Sequence, residues 1–151
     1  MEIQEAFRTN RFVLEINGIE SPGATRISGL TDGEIDVIEQ ADAGSNIIYK
    51  ISSGVVKFGD VTIERNCDGS SADGAFKDWF QEMFATDGPA RGSSARRNGS
   101  IVVYSAAEEE QMRFGFEGAW VKSSSFSDLE AGSANLLKQT VVLSVDRLYR
   151  P

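Results

Sequence analysis

The sequence predicts a mainly β protein, a sandwich or flattened barrel of two antiparallel sheets with one α-helix packed at its side. Three observations carry that expectation. Apolar and polar residues alternate through most of the 151-residue chain, which is the period of strands that bury one face. One segment alone, residues 73–86, changes to a helical period. No shift in composition divides the chain, and its length fits a single domain, 1–151, able to bury a core of its own.

Taken in order, residues 1–10 (MEIQEAFRTN) form an N-terminal arm that holds Ile3 and Phe7 outside any core pattern. In Arg11 to Gly18, Phe12, Leu14 and Ile16 share a face, as a half-buried strand requires. Glu34 to Gln40 sets Ile35 and Val37 against Glu34, Asp36 and Gln40. Residues 40–54 then read as an extended inter-strand loop whose middle, Ile47-Ile48-Tyr49, is too apolar to rest in water. Exposed apolar loops of this kind usually meet partners. Val55 to Arg65 alternates again, with Val56 and Phe58, then Val61 and Ile63, broken at Gly59-Asp60 by a bulge or tight turn.

The helical segment places Phe76, Trp79, Phe80, Met83 and Phe84 at i, i+3, i+4, i+7 and i+8, with Asp73 positioned to cap its start and Gly88-Pro89 after its end. Burying these side chains on a sheet is worth at most about 8–15 kcal/mol before entropy. Ser100 to Ser105 and Gln111 to Glu117 read as a hairpin with an acidic tip. Asn135 to Asp146, with Leu137, Val141, Leu143 and Val145 on one face, is the longest expected strand, and Leu148-Tyr149 leaves hydrophobes on the tail.

The residue types of the chain oppose most reaction chemistry. Fifteen basic against 23 acidic residues give a net charge of −8, which opposes a grip on nucleic acid or anionic membrane. The absence of histidine excludes Ser-His-Asp and Cys-His catalysis and removes the usual nitrogen ligand of zinc. Cys67 is alone, so it forms no intramolecular disulfide, and no activating partner stands beside it in sequence. No run approaches the ~18 apolar residues of a membrane span, and the start lacks the basic and apolar regions of a secretory signal, so synthesis in the cytoplasm is expected. Glu108-Glu109-Glu110 reads as solvated charge, DGSSADG (68–74) lacks the spaced acids of an EF-hand, and GSSARRNG (92–99) lacks Walker or dinucleotide spacing. The sequence therefore predicts no catalytic, metal or cofactor site, and no enzyme.

A succession of short segments in a fixed order carries a resemblance. FVLEINGIE (12–20) is followed by Ser28-Gly29-Leu30 and the acidic strand EIDVIEQ (34–40); then come YKISSGVVKFGDVTIERN (49–66), the aromatic helix with Trp79, FEGAWVKS (116–123) and LLKQTVVLSVDRL (136–148). Across residues 10 to 150 this succession resembles the tail tube proteins of contractile phages and their relatives in contractile injection systems. The chain departs from the family pattern at Ser53, where proline usually precedes the glycine, and at Lys138-Gln139, where a glutamate is common.

The resemblance implies a subunit of sixfold rings stacked into a hollow tube, with four strands per subunit lining a continuous barrel and the long loop of one ring reaching the next. It would place Ile47, Ile48, Tyr49, Lys50, Ile51, Phe7 and Tyr149 at assembly contacts, and Glu34 and Asp36 toward the lumen. The partners would be further copies of the chain, a sheath protein, baseplate or tube-initiator and terminator proteins, and DNA or protein cargo that passes without specific binding. The particle would be a phage tail or an extracellular or cell-anchored injection device, with the secreted hexamer of type VI secretion sharing the fold. Head-to-tail contacts repeated by translation do build open filaments, and obligate interfaces need about 2,000 Å² or more of apolar-rich surface. The competing reading is a monomeric β-sandwich that holds a ligand against Trp120.

Overall fold

The computed structural model describes residues 11–17, 19, 23–84, 95–105 and 107–151. The N-terminal arm 1–10 with Phe7, and Gly88-Pro89 after the helix, lie outside them. The elements in chain order are β1 (Phe12–Ile16), β2 (Ala24–Ser28), β3 (Glu34–Ala41), β4 (Ile48–Lys57), β5 (Val61–Asn66), α1 (Ser71–Glu82), β6 (Arg97–Tyr104), β7 (Glu110–Phe126), β8 (Lys138–Ser144) and β9 (Arg147–Tyr149). This is the mainly β architecture with one helix that the alternating pattern predicts.

Seven strands form one antiparallel sheet in the order β1-β6-β7-β8-β5-β2, with β9 also paired to β7; β3 and β4 form a separate two-stranded ribbon. The long β7 joins two halves of the sheet. Its first part lies between β6 and β9, and from Trp120 onward it pairs with β8. Between the two parts Gly118 adopts φ +65°, and a Cβ there would stand 2.2 Å from a carboxylate oxygen of Asp146, so the bend requires glycine. Side chains from both halves meet in one core: Leu14 and Phe116 from one, Ile63 and Leu143 from the other, with Phe76 and Trp79 of the helix between them.

Period-two burial is clearest where β5 and β8 pair. Val61, Ile63 and Arg65 point inward while Thr62 and Glu64 face out, and in β8 the inward set is Gln139, Val141 and Leu143. Each buried aliphatic side chain contributes about 1.5–3 kcal/mol. The inward end of this row is polar. Arg65, almost fully buried, donates to Asp73 and, at 2.9 Å, to Gln139 Oε1, and lies 5.7 Å from the centre of the Phe76 ring. Gln139 Nε2 in turn donates to Ser124 Oγ at 2.9 Å, so one chain of hydrogen bonds ties the helix start to β5, β8 and β7. Hydrogen bonds from Arg65 and from the Gly69 N–H hold the Asp73 carboxyl below its usual pKa.

Several boundaries differ from expectation, each for a local reason. The helix begins at Ser71, and its cap position is Ser70, whose side chain makes no capping bond. Asp73 lies inside the first turn, where its charge suits the helix dipole, and its Oδ2 accepts from the N–H of Gly69. The helix ends at Glu82, so only part of the aromatic stripe reaches the core: Phe76 and Trp79 are fully buried, Phe80 and Met83 are half-buried. Phe84, past the helix end, is 45% exposed and rests edge-on against Phe80 at 5.3 Å, which removes it from the expected helix-to-sheet core. Trp79 is fixed by donating its indole N–H to the carbonyl of Ala95 at 2.6 Å. The longest strand is β7 with 17 residues, not β8 with 7, because the serines at 123–125 continue the pairing that their polarity hides in the sequence.

Residues 40–54 differ most from the extended loop that the sequence predicts. They are not a loop: β3 runs to Ala41, β4 starts at Ile48, and the two pair directly, leaving a short turn at 42–47. Backbone pairing satisfies the peptide groups of this apolar stretch in a way that an open loop could not. The turn is held by Asp42, whose carboxylate accepts from the Gly44 N–H at 3.1 Å and from the Ser45 hydroxyl at 2.9 Å.

Candidate assembly interface

The β3–β4 ribbon is built as an extension of the sheet. β2 leads into β3 and β4 leads into β5, so the β2–β5 pair continues, after a break at Gly29 to Gly33 and Phe58 to Asp60, as the β3–β4 pair. At the break the two chains cross closely. Gly29, at φ +91°, has no room for a Cβ, which would fall 2.2 Å from the carbonyl oxygen of Asp60. The base is also clamped from the C-terminus, where the Arg150 guanidinium donates twice to the Asp32 carboxylate, both at 2.8 Å.

Along the ribbon, opposed residues share a face. Ile38 pairs with Ile51 and Gln40 with Tyr49 on one side; Ile35 pairs with Val56, Glu39 with Lys50 and Ala41 with Ile48 on the other. Both faces are therefore partly apolar, and neither is covered: Ile48 is 59% and Val37 57% exposed, and Tyr49 and Ile51 are similarly open. A free two-stranded ribbon is at best marginally stable in water, and this one exposes apolar side chains on two sides and backbone edges along its length. Between Ile35 and Val37 the register shifts, and Ser53 to Val55 stand opposite Asp36 alone, with Gly54 at φ +76°. This bulge bends the ribbon.

The two residues expected at a lumen sit at its base. Asp36 pairs with Lys57 at 2.8 Å, and Glu34 is the cross-strand neighbour of the same lysine. Asp36 raises the Lys57 pKa, chiefly through its hydrogen bond, with a smaller contribution from Glu34. Among the other expected contact residues, the structure brings Ile47 to Ile51 together at the ribbon's far end, whereas Tyr149 lies half-buried on the body in β9. Its ring covers Gly115, and the Arg147 guanidinium sits 4.9 Å above it.

A second apolar surface escaped the sequence reading. The connection from β7 to β8 exposes Phe126, Leu129, Leu136 and Leu137, with Leu129 86% open to solvent. Its signal was present in the Leu136-Leu137 pair, but assigning residues 135–146 to one strand hid it. The base of the connection is closed by Ser127, whose N–H donates to the Lys138 carbonyl at 2.9 Å and whose hydroxyl accepts from the Lys138 N–H at 3.0 Å.

The polar groups weighed for chemistry are bound into local structure. Arg96 pairs with Asp146 at 2.6 Å, and Arg97 lies 5.3 Å from the Trp79 ring and donates to the Asn17 carbonyl. Asp68 and Asp73 accept backbone N–H groups of their own loop, and burial pushes the Cys67 thiol pKa up. Among the described residues no group of three or more His, Cys, Asp or Glu side chains is placed to hold a metal ion.

Comparison with known proteins agrees with the geometry. No curated protein sequence matches the chain. Among solved structures, the chain is similar to a protein of an extracellular contractile injection system, in the PVC sheath-tube complex in its extended state, with 20% identity, TM-score 0.78, and 99% of this chain and 93% of the other covered. A chain of the PVC sheath/tube terminator in the extended state matches with 19% identity and TM-score 0.80, covering 99% of both chains. Hcp1 from Flavobacterium johnsoniae is more distant, at 18% identity and TM-score 0.56, with 92% of this chain and 93% of that one covered. At these identities the structures speak for the fold, while the sequence itself matches the profile of T4-like virus tail tube protein gp19 over residues 8–149. The chain belongs to the gp19 tail tube family, a family of structural, non-enzymatic proteins.

Proposed function

We propose that the chain is the repeating subunit of the inner tube of a contractile tail or injection particle, assembled as rings of six that stack around a lumen for DNA or protein cargo. The observation that carries this reading is the β3–β4 ribbon, which is apolar on both faces and uncovered in the single chain. A monomeric binding module has no use for such an element, and the solvation cost of leaving it open favours self-association. A sheath outside the tube, and initiator and terminator proteins at its ends, are part of the proposal; the PVC and AFP structures that the fold resembles are described as sheath-tube, baseplate and cap assemblies.

The sheet supports ring closure in a specific way. Its β7-β8-β5-β2 half has four antiparallel strands, with the outer edge of β2 at one side and, beyond Ala119, the edge of β7 that β6 leaves at the other. An even number of alternating strands lets β2 of one copy pair antiparallel with β7 of the next, so any closed ring keeps the alternation and leaves no edge open. In that arrangement Glu34 and Asp36 border the lumen, with Lys57 offsetting part of their charge. Electron microscopy of negatively stained protein across a concentration series tests the reading, because assembly follows mass action. Sixfold rings or tubes with a central channel support it; monomers at every concentration overturn it.

A further inference from the structure

The β3–β4 ribbon meets the body through two short linkers, residues 29–33 and 58–60, and each linker carries one aspartate held by a cation of the body. Asp32 accepts twice from the Arg150 guanidinium, both bonds at 2.8 Å. Asp60 accepts from Lys122 Nζ at 3.0 Å, the lysine lying where the β7–β8 register shifts between Val121 and Ser123. Both cations stand on fixed ground: Arg150 follows Leu148 of the core by two residues, and Val121, next to Lys122, belongs to the same core. Among the described residues no other side-chain hydrogen bond joins the ribbon or its linkers to the body. Packing leaves the angle of the ribbon open on this side. Leu30 and Phe58 seat the linkers against the core, yet an open cleft of about 560 Å³ separates the ribbon base at Val56 from Leu148, Tyr149 and Arg150. Val56 is accordingly 47% exposed. Gly29 and Gly33, both at positive φ, bound the first linker and give it the composition of a hinge.

We propose that the Arg150–Asp32 and Lys122–Asp60 pairs are struts that fix the angle of the ribbon to the body, which makes Arg150 and Lys122 positioning residues for assembly. A ribbon free to swing about its linkers loses that freedom whenever another copy binds it, and the loss opposes association. A ribbon already held at one angle has little freedom left to lose. The Arg150 pair suits this task, because two parallel bonds between a planar guanidinium and a carboxylate fix direction as well as distance. Both pairs are open to solvent, so they add little to folding stability and are screened by salt. Their effect on assembly is thereby separable from any effect on the fold. The inference rests on the tube reading and adds to it the body residues that set how readily copies join.

The test compares the concentration at which the parent and its variants assemble, read by sedimentation and electron microscopy at about 20 mM and about 500 mM salt. Arg150 is the residue to change, since Lys122 also lies on the β7 edge assigned above to pairing with β2 of the next copy. Arg150→Gln is expected to unfold in urea like the parent and to need about three- to tenfold more protein to assemble at low salt. At high salt, where the strut of the parent is screened, that gap should close. Exchanging the partners, Asp32→Arg with Arg150→Asp, is expected to restore the low-salt threshold that Arg150→Asp alone raises. In the monomer, amide hydrogen exchange at residues 30–33 and 58–60 should quicken in Arg150→Gln, a readout independent of assembly. Arg150→Gln protein that assembles like the parent at low salt, a gap that persists at high salt, or an exchanged pair that fails to rescue would overturn the struts while leaving the tube intact. A parent protein that forms neither rings nor tubes removes the tube reading, and the role of the struts in assembly with it.

Discussion

The β5–β8 pair and the β3–β4 pair are made of the same material and do opposite things. Both are antiparallel, both are rich in valine and isoleucine, and both show apolar residues opposed across the ladder. Yet Ile63 is 0% exposed and Ile38 is 53% exposed. Strand chemistry does not decide the difference. The β5–β8 pair has the helix and the other half of the sheet beneath it, while the ribbon extends past the end of β8, where none of the described residues covers it. The lesson is that an apolar strand face missing its cover within the subunit marks where the next subunit belongs.

That contrast can be broken from either side, and the expected effects on folding stability run from large to negligible. Trp79→Ala empties a fully buried site of the body and removes the bond to Ala95; it is expected to cost about 3–5 kcal/mol by urea unfolding. Arg65→Ala leaves Gln139 and Asp73 without their buried donor and is expected to cost about 3 kcal/mol. Both losses belong to the body and should appear whether or not the protein is assembled.

Asp73 gives the body a pH signature. Its carboxyl pKa is depressed in the folded state below the ordinary value of 3.8, so its contribution is complete above that value and is lost as pH falls through the lower folded pKa. Acid titration of unfolding should therefore show a steeper loss of stability below about pH 4 in the parent than in Asp73→Asn. Equal slopes would show that the Arg65 contact does not operate in solution.

The ribbon should behave in the opposite sense. Ile38→Asp or Tyr49→Asp is expected to change the unfolding free energy of the monomer by no more than about 0.5 kcal/mol while abolishing stacked tubes. If either lowers monomer stability as far as Trp79→Ala does, the ribbon is part of the core and the contrast between the two pairs fails. Least of all, Ser70→Ala should be nearly silent in the same assay, within about 0.5 kcal/mol, because the Ser70 side chain makes no capping bond despite occupying the cap position.

Much of this was legible from residue order. Alternation located β1, β3, β5, β6 and β8, the stripe through Phe76 and Trp79 located the helix, and the order of short β motifs pointed to the family that the matched profile shows. What escaped had physical causes. The triple serine at 123–125 gives no periodic signal, so the second half of β7 was missed. Residues 47–49 are apolar at consecutive positions, a pattern without period that reads as a greasy loop, although the pairing of 48–51 with 38–41 makes the stretch from Ile48 onward strand. Asp73 looks like a cap in sequence because it precedes the aromatic stripe, and only the Gly69 N–H and Arg65 around it show that it anchors the turn before the helix.

By itself, then, the sequence determined local geometry: which residues alternate, where the helical period begins, which catalytic chemistries the lack of histidine forbids, and which family the chain joins. Those properties follow from backbone sterics and side-chain type over a few neighbouring residues. Tertiary structure alone decided which apolar faces are covered and which are left for another molecule. Burial depends on what lies across a strand face, often many residues away in sequence, as Gln139 lies against Arg65 and the body lies against Ile63 but not Ile38.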